Sequence, residues 1–174
     1  MINQEIEAMA SAMLERYQSM IVPVPVEKIA VASGAMIARN HFSGNQSGFA
    51  LRQGSMRIIG VNTTTSPRRQ RFTIGHELGH LELHVAKSLI VDHSYVFNRD
   101  EVSSLGTDRE EVEANGFAAA LLMPRQLIVS ELQKELHKAA FSSRDELIGR
   151  LARAFDVSNE AMGYRLINLS IISA

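Results

Sequence analysis

The chain contains no cysteine. Disulfides, thiolate metal sites and a cysteine nucleophile are therefore excluded, and a reducing compartment suits the sequence. No apolar run approaches the length of a membrane span. The first residues, Met1-Ile2-Asn3-Gln4-Glu5, lack the basic and apolar regions of a secretory signal, so a cytoplasmic protein is expected. Charge of one sign is missing too: 18 basic residues face 19 acidic ones, for a net charge of −1. Such a chain has no general basic field to draw in nucleic acid. Repeats and low-complexity tracts are not evident.

What is present is an ordinary globular composition. The chain has 174 residues, 45 % of them apolar and 21 % charged, which is enough to bury a core in one domain. We read 1–174 as a single domain: an N-terminal helix over 1–20, a core over 21–124 and a helical part over 125–174.

Ile6, Met9, Ala10, Met13, Leu14 and Tyr17 recur at helical spacing, which predicts a helix within residues 3–20. Val22-Pro23-Val24-Pro25 must be extended, because each proline disfavours helix in the residue before it. Val26 to Ser33 can form a short helix that stops at Gly34. Ala35–Ala38, Gly48–Leu51 and Arg57–Val61 are short apolar stretches separated by turn chemistry, which predicts a small, mainly antiparallel sheet. Ser66-Pro67 pairs an N-cap serine with proline at the first helical position, opening a helix to about Ala86. Residues 87–106 show no order. Helices are then expected over Asp108–Met123 and Arg125–His137. The capping-box pattern Ser143-Arg144-Asp145-Glu146 opens another to Phe155, and Ser158 caps a last one to Leu169. Helices, sheet, then helices is an α+β arrangement.

The chemistry centres on His76-Glu77-Leu78-Gly79-His80. Residues four apart on a helix lie one turn above each other, so both imidazoles can grip one zinc ion. Glu77 projects close to the remaining coordination position. There it can take a proton from the attacking water and later pass it to the leaving amine. The spacing is that of the HExxH pattern. Zinc needs a third protein ligand, with the fourth position open for catalysis. The helix over 108–123 offers Glu110, Glu111 and Glu113, which cannot all face one point. Glu111 and Asn115 share a face, so Glu111 is the chosen ligand and Asn115 is placed to hydrogen-bond one of the ligand imidazoles. Glu113 lies about 200° round the helix and is the runner-up. His84 is too far along its helix to share the zinc easily and reads as a packing residue or a support for a ligand. His93, Tyr95 and His137 are candidates for stabilising an oxyanion. Arg109 and Glu110 read as a solvated helix face. Two exposed histidines, or a metal site without catalysis, are the bland alternatives. The apolar residues around the pair and the intact Glu77 speak against them.

The stretch from Arg71 to His84 resembles the active-site helix of the ImmA/IrrE metallopeptidase family. Glu111-Val112-Glu113-Ala114-Asn115, running on to Leu121-Leu122-Met123-Pro124, is similar to that family's second helix. With the strand Arg57–Asn62, the resemblance covers roughly residues 20–125, with a looser one to the C-terminus. It implies a bacterial or phage protein, a zincin-like fold and a third ligand on the second helix. It further implies limited proteolysis of a partner, typically a helix-turn-helix repressor, in a stress or mobile-element response. Two departures stand out. The family's usual alanine before the first histidine is Gly75 here, and only one short helix precedes the core, where some members carry a DNA-binding domain.

A rival reading comes from residues 147–169, which have the rhythm of a helix-turn-helix. DNA or regulator binding with a non-catalytic metal site is the alternative function. Charge disfavours it: the second helix offers Arg165 as its one cation beside Glu160, whereas recognition helices need several contacts. Substrate backbone is expected to add as a strand beside Arg57–Val61, taken as the strand nearest the active helix.

Overall fold

The computed structural model of the chain describes residues 3–42, 46–85, 89–93, 105–138 and 143–173. Asn3 caps the first helix, α1 (Gln4–Arg16), by accepting from the Glu5 amide at 3.0 Å. Ile6, Ala10 and Leu14 form its buried stripe. The helix is shorter than its apolar pattern, since Gln18 turns into the left-handed region at φ 49°. After α2 (Val26–Ala32) come three strands, β1 (Met36–Asn40), β2 (Gln46–Gln53) and β3 (Met56–Asn62). Gly54, at φ 58°, makes the tight β2–β3 turn that a side chain would strain.

The sheet has the order β1-β3-β2-β4, where β4 is Leu89–His93. β2 pairs antiparallel with both β3 and β4, while β1 pairs parallel with β3. The mainly antiparallel sheet is as expected, but β4 falls in the stretch the sequence left without order. The pairing also corrects one expectation. β3 has β1 on one side and β2 on the other, so its backbone is fully used and cannot receive a substrate strand. Among the described residues, the strands with an open side are β1 and β4.

Helix α3 (Pro67–Leu83) starts at Ser66, whose hydroxyl accepts from the Arg69 amide at 3.3 Å. It ends three residues before Ala86, because His84 leaves the helical path at φ −112°, ψ 53°. Every residue from Thr73 to Leu81 is buried. A helix buried all round must be covered on several faces. The sheet covers one side of α3, and α4 (Leu105–Leu122) covers another. Two hairpin arginines hold its C-terminal end. Arg52 donates to the Leu81 carbonyl, and Arg57, its cross-strand neighbour, pairs with Glu82. Cations there also complement the helix dipole. Core side chains such as Leu14, Ile29, Ile59, Leu78, Phe117 and Leu121 fill the space between these layers.

The helical half comprises α5 (Arg125–Lys138), α6 (Arg144–Phe155) and α7 (Asn159–Asn168). Ser143 and Ser158 cap α6 and α7 as their sequence positions predict. α6 and α7 do pack as a helix pair. Arg165, however, is turned inward. It is 4 % exposed, donates to the Met123 carbonyl at 2.9 Å and holds the Glu7 carboxylate with both terminal nitrogens. The exposed residues of α7 are Asn159, Glu160, Tyr164 and Asn168, which bring no cation. Arg165 is thus a clamp between the last helix and the first, which corrects its reading as a DNA contact. Arg165→Ala strands Glu7 and opens a gap between α1 and α7. The expected loss is roughly 3 kcal/mol, the lower end for breaking a buried pair because Glu7 keeps some solvent. Urea denaturation checks it; a midpoint within error of the parent would show that the clamp carries no stability.

Candidate metal centre

Two imidazoles on α3 and one carboxylate on α4 meet inside the protein. His76 Nε2 lies 3.1 Å from His80 Nε2. Glu111 Oε2 is 3.2 Å from His76 Nε2, and Glu111 Oε1 is 3.3 Å from His80 Nε2. One donor atom from each of the three lies within 4.8 Å of the others. Both histidines are buried, and Glu111 is half-buried.

The helices come this close because small residues line their seam. A Cβ on Gly79 would sit 3.2 Å from the Ala114 Cα, tighter than side chains normally pack. At Gly75 it would lie 3.4 Å from the Ala118 Cβ, an ordinary contact, so the alanine usual in the resembled family fits here as well. The i, i+4 glycines of α3 therefore face the i, i+4 alanines of α4. That seam carries Glu111 across to the imidazoles.

Electrostatics favour a cation at the meeting point. Burial pushes the His80 imidazole down from its ordinary value. The hydrogen bond to Glu111 opposes this, and His76 and His84 add to the depression. A neutral ring keeps a lone pair to donate. Burial alone would raise the Glu111 carboxyl, but the hydrogen bonds and then the charges of His76 and His80 outweigh it. The carboxyl is held well below the usual carboxylate range. Two imidazoles and an ionised carboxylate are a donor set that fits a divalent metal ion.

The residues around the cluster are also in place. Asn115 Oδ1 lies 3.1 Å from His76 Nδ1, the contact its position one turn after Glu111 suggests. Phe72 stacks on the His76 ring at 6.2 Å between centroids, and the Arg69 guanidinium lies over Phe72. Glu77 is fully buried beside β2: a Cβ on Gly48 would come within 3.0 Å of its Oε1 and 2.4 Å of the Thr73 methyl. Only glycine lets this backbone approach so closely. The β2–β4 register shifts between Gln46 and Gly48, next to that contact. Bulges of this kind are frequent beside functional sites.

Glu113 does not join the three donors. Its carboxylate meets His84 Nε2 at 3.2 Å and Arg109 Nε at 2.8 Å. Arg109 first, then His84, holds the Glu113 carboxyl below its ordinary value. His84 in turn touches His80, with their Nδ1 atoms 2.9 Å apart. Arg109 is exposed, as its reading as part of a solvated face expects, and it also bonds to Glu113, the start of a chain leading to the cluster. Its only sequence signal is the i, i+4 spacing to Glu113. Of the oxyanion candidates, His137 is exposed and bonded within α5 to the Gln133 carbonyl. The His93 side chain and Tyr95 lie outside the described residues.

The family model for the IrrE N-terminal-like domain, a peptidase family, matches residues 33–167. The chain belongs to this family. Two curated relatives are each named a radiation response metalloprotease IrrE. The protein of Deinococcus deserti is 33 % identical over 109 residues, which is 63 % of this chain and 35 % of the relative. That of Deinococcus radiodurans is 29 % identical over 109 residues, 63 % of this chain and 30 % of the relative. The chain thus matches about a third of the length of these IrrE proteins. Among solved structures, a Mycobacterium tuberculosis transcriptional regulator superposes with a TM-score of 0.62. It covers 95 % of this chain and 47 % of its own, at 16 % identity, a likeness of fold. The IrrE family is one of metalloproteases, and the donor cluster lies within the matched region. No helix of the described residues is long and apolar enough to cross a membrane.

Proposed function

We propose that this IrrE-family chain is a zinc-dependent peptidase that cuts a protein partner at one or a few sites. The observation that carries this is the cluster of buried His76 and His80 with half-buried Glu111, Glu77 following His76 directly in α3. Three nitrogen and oxygen ligands suit a catalytic zinc site, where the fourth position stays open. Zinc held there supplies Lewis-acid polarisation of the scissile carbonyl and acidifies water.

The chain's own residues do the rest. His76 and His80 bind through Nε2, and the Glu111 carboxylate offsets the positive charge. Glu77 accepts the proton of the attacking water and returns it to the departing amine nitrogen. Substrate backbone adds to the outer side of β4. That strand lies next to β2, whose Gly48 meets Glu77, and Asp92 of β4 is the register partner of Gly48. An extended peptide there would run past the site with its amides paired.

A helix-turn-helix repressor is the substrate we favour, in a stress or mobile-element response in the cytoplasm. The names of the IrrE relatives support the stress part of this reading. The DNA-binding alternative has less support, because the one cation of α7 is buried against Glu7.

The test is a cleavage assay on a repressor encoded beside this protein. Zinc-loaded protein is expected to release discrete fragments, a strong metal chelator to reduce cleavage to background, and added zinc to restore it. Intact repressor throughout, together with tight sequence-specific DNA binding at physiological salt, would sink the peptidase reading. Weak binding that collapses with salt is what a net charge of −1 leads us to expect instead.

A further inference from the structure

His80 uses both ring nitrogens. Nε2 faces His76 and Glu111, while Nδ1 lies 2.9 Å from the Nδ1 of His84. Two ring nitrogens at that distance share one proton, which sits on one of them. The rest of the chain decides which. An ionised carboxylate only accepts, so His84 Nε2, at 3.2 Å from Glu113 Oε2, is the donor there. Arg109 Nε donates to the other Glu113 oxygen at 2.8 Å. With Nε2 as the donor to Glu113, the His84 tautomer that fits has Nδ1 as its acceptor. The shared proton therefore belongs to His80 Nδ1, which leaves His80 Nε2 as the lone-pair nitrogen.

We propose that His84 and Glu113 form a positioning relay that fixes the tautomer and aim of His80 as a metal ligand. The proposal rests on the metal-centre reading above. It assigns Glu113 a role distinct from that of a ligand. The two imidazoles are served in parallel ways. Asn115 Oδ1 accepts directly from His76 Nδ1, and Glu113 acts on His80 through an intervening ring. His84 can do this because it ends α3. Its off-helix backbone brings the ring to a 52° tilt against His80, with 5.0 Å between centroids, so that the nitrogens meet edge to edge. The His84 side chain is 7 % exposed, so both of its nitrogens need partners, and the relay provides them in series. Arg109 is largely exposed and adds little. Partners that orient a ligand histidine are worth about tenfold to a hundredfold in metal affinity.

The experiment measures zinc affinity of the full chain at one fixed pH, by competition with a chromophoric chelator. Melting of the metal-free proteins runs alongside it. His84→Phe keeps the ring's bulk and removes the acceptor, and should bind zinc about tenfold to a hundredfold more weakly. Glu113→Ala, at a half-exposed position that leaves the fold intact, should weaken binding severalfold. In the His84→Phe background, Glu113→Ala should add nothing, because the two residues act in series. His84→Gln can accept from His80 and donate to Glu113, and should recover most of the affinity. The absorption spectrum of the cobalt-substituted protein should shift with His84→Phe and return with His84→Gln. Unchanged zinc affinity in both His84→Phe and Glu113→Ala would overturn the relay. So would a Glu113→Ala loss that persists in full without His84, which is the mark of a direct ligand. If the parent protein binds no zinc, the metal-centre reading fails and the relay fails with it. If the parent binds and these variants bind equally well, the relay alone fails.

Discussion

Glu77→Gln is expected to bind zinc as tightly as the parent and to cut its substrate about 10²–10⁴-fold more slowly, the usual worth of a positioned general base. The two side chains have nearly the same shape, so the packing of Glu77 against Gly48 and Thr73 survives the change. Melting should therefore not fall. What is lost is the ability to hold a proton between attack and departure. Metal content and single-turnover cleavage of the same preparation separate the two effects. Cleavage at the parent rate would remove Glu77 from the mechanism.

Removing a donor should act the other way round, on the metal first. A closed structural zinc site with four ligands is worth roughly 10–16 kcal/mol in apparent binding, so one ligand accounts for about 2.5–4 kcal/mol. His76→Ala, His80→Ala and Glu111→Ala should each weaken zinc binding by about two to three orders of magnitude. Cleavage at sub-micromolar zinc should vanish with it. The loss from Glu111→Ala should clearly exceed that from Glu113→Ala, whose carboxylate is turned to His84. Zinc titrations at a fixed pH decide this, since protons compete for the same atoms. Glu113→Ala losing more than Glu111→Ala would reverse the choice between them.

Short-range patterns were legible in the sequence, and long-range pairings were not. The Ser66 cap, the proline after it and the i, i+4 histidines are local, and their physics needs no knowledge of the rest of the fold. Choosing Glu111 over Glu113 needed only the angle between residues on one helix, and Glu111 is the one that meets His76 and His80. β4 has no local signature because a five-residue strand bounded by no turn signal gains its order from β2, about 40 residues earlier in the chain. The parallel β1–β3 pairing is hidden for the same reason. It makes β3 a central strand, whereas its sequence suits an edge equally well. Arg165 reads as a solvent-facing cation in the sequence because its partner, Glu7, lies 158 residues away. Nothing near it in sequence marks it as buried. The link from Arg109 through Glu113 and His84 to His80 joins two helices 29 residues apart, so only its first step shows as a pattern.

The glycine–alanine seam between α3 and α4 has one more consequence. Helices that touch nearly backbone to backbone behave like the jaws of a fixed spanner: the opening is set before anything is gripped. Gly79 against Ala114 stops the jaws from closing further, and the core around Phe117 and Leu121 stops them from parting. The three donors are thus gathered by the burial of apolar side chains. Little of the binding energy of an ion is then spent on assembly, in contrast to small zinc-nucleated domains, where metal and fold arrive together. An ion that bound here and left would leave behind a standing architecture, ready for the next one.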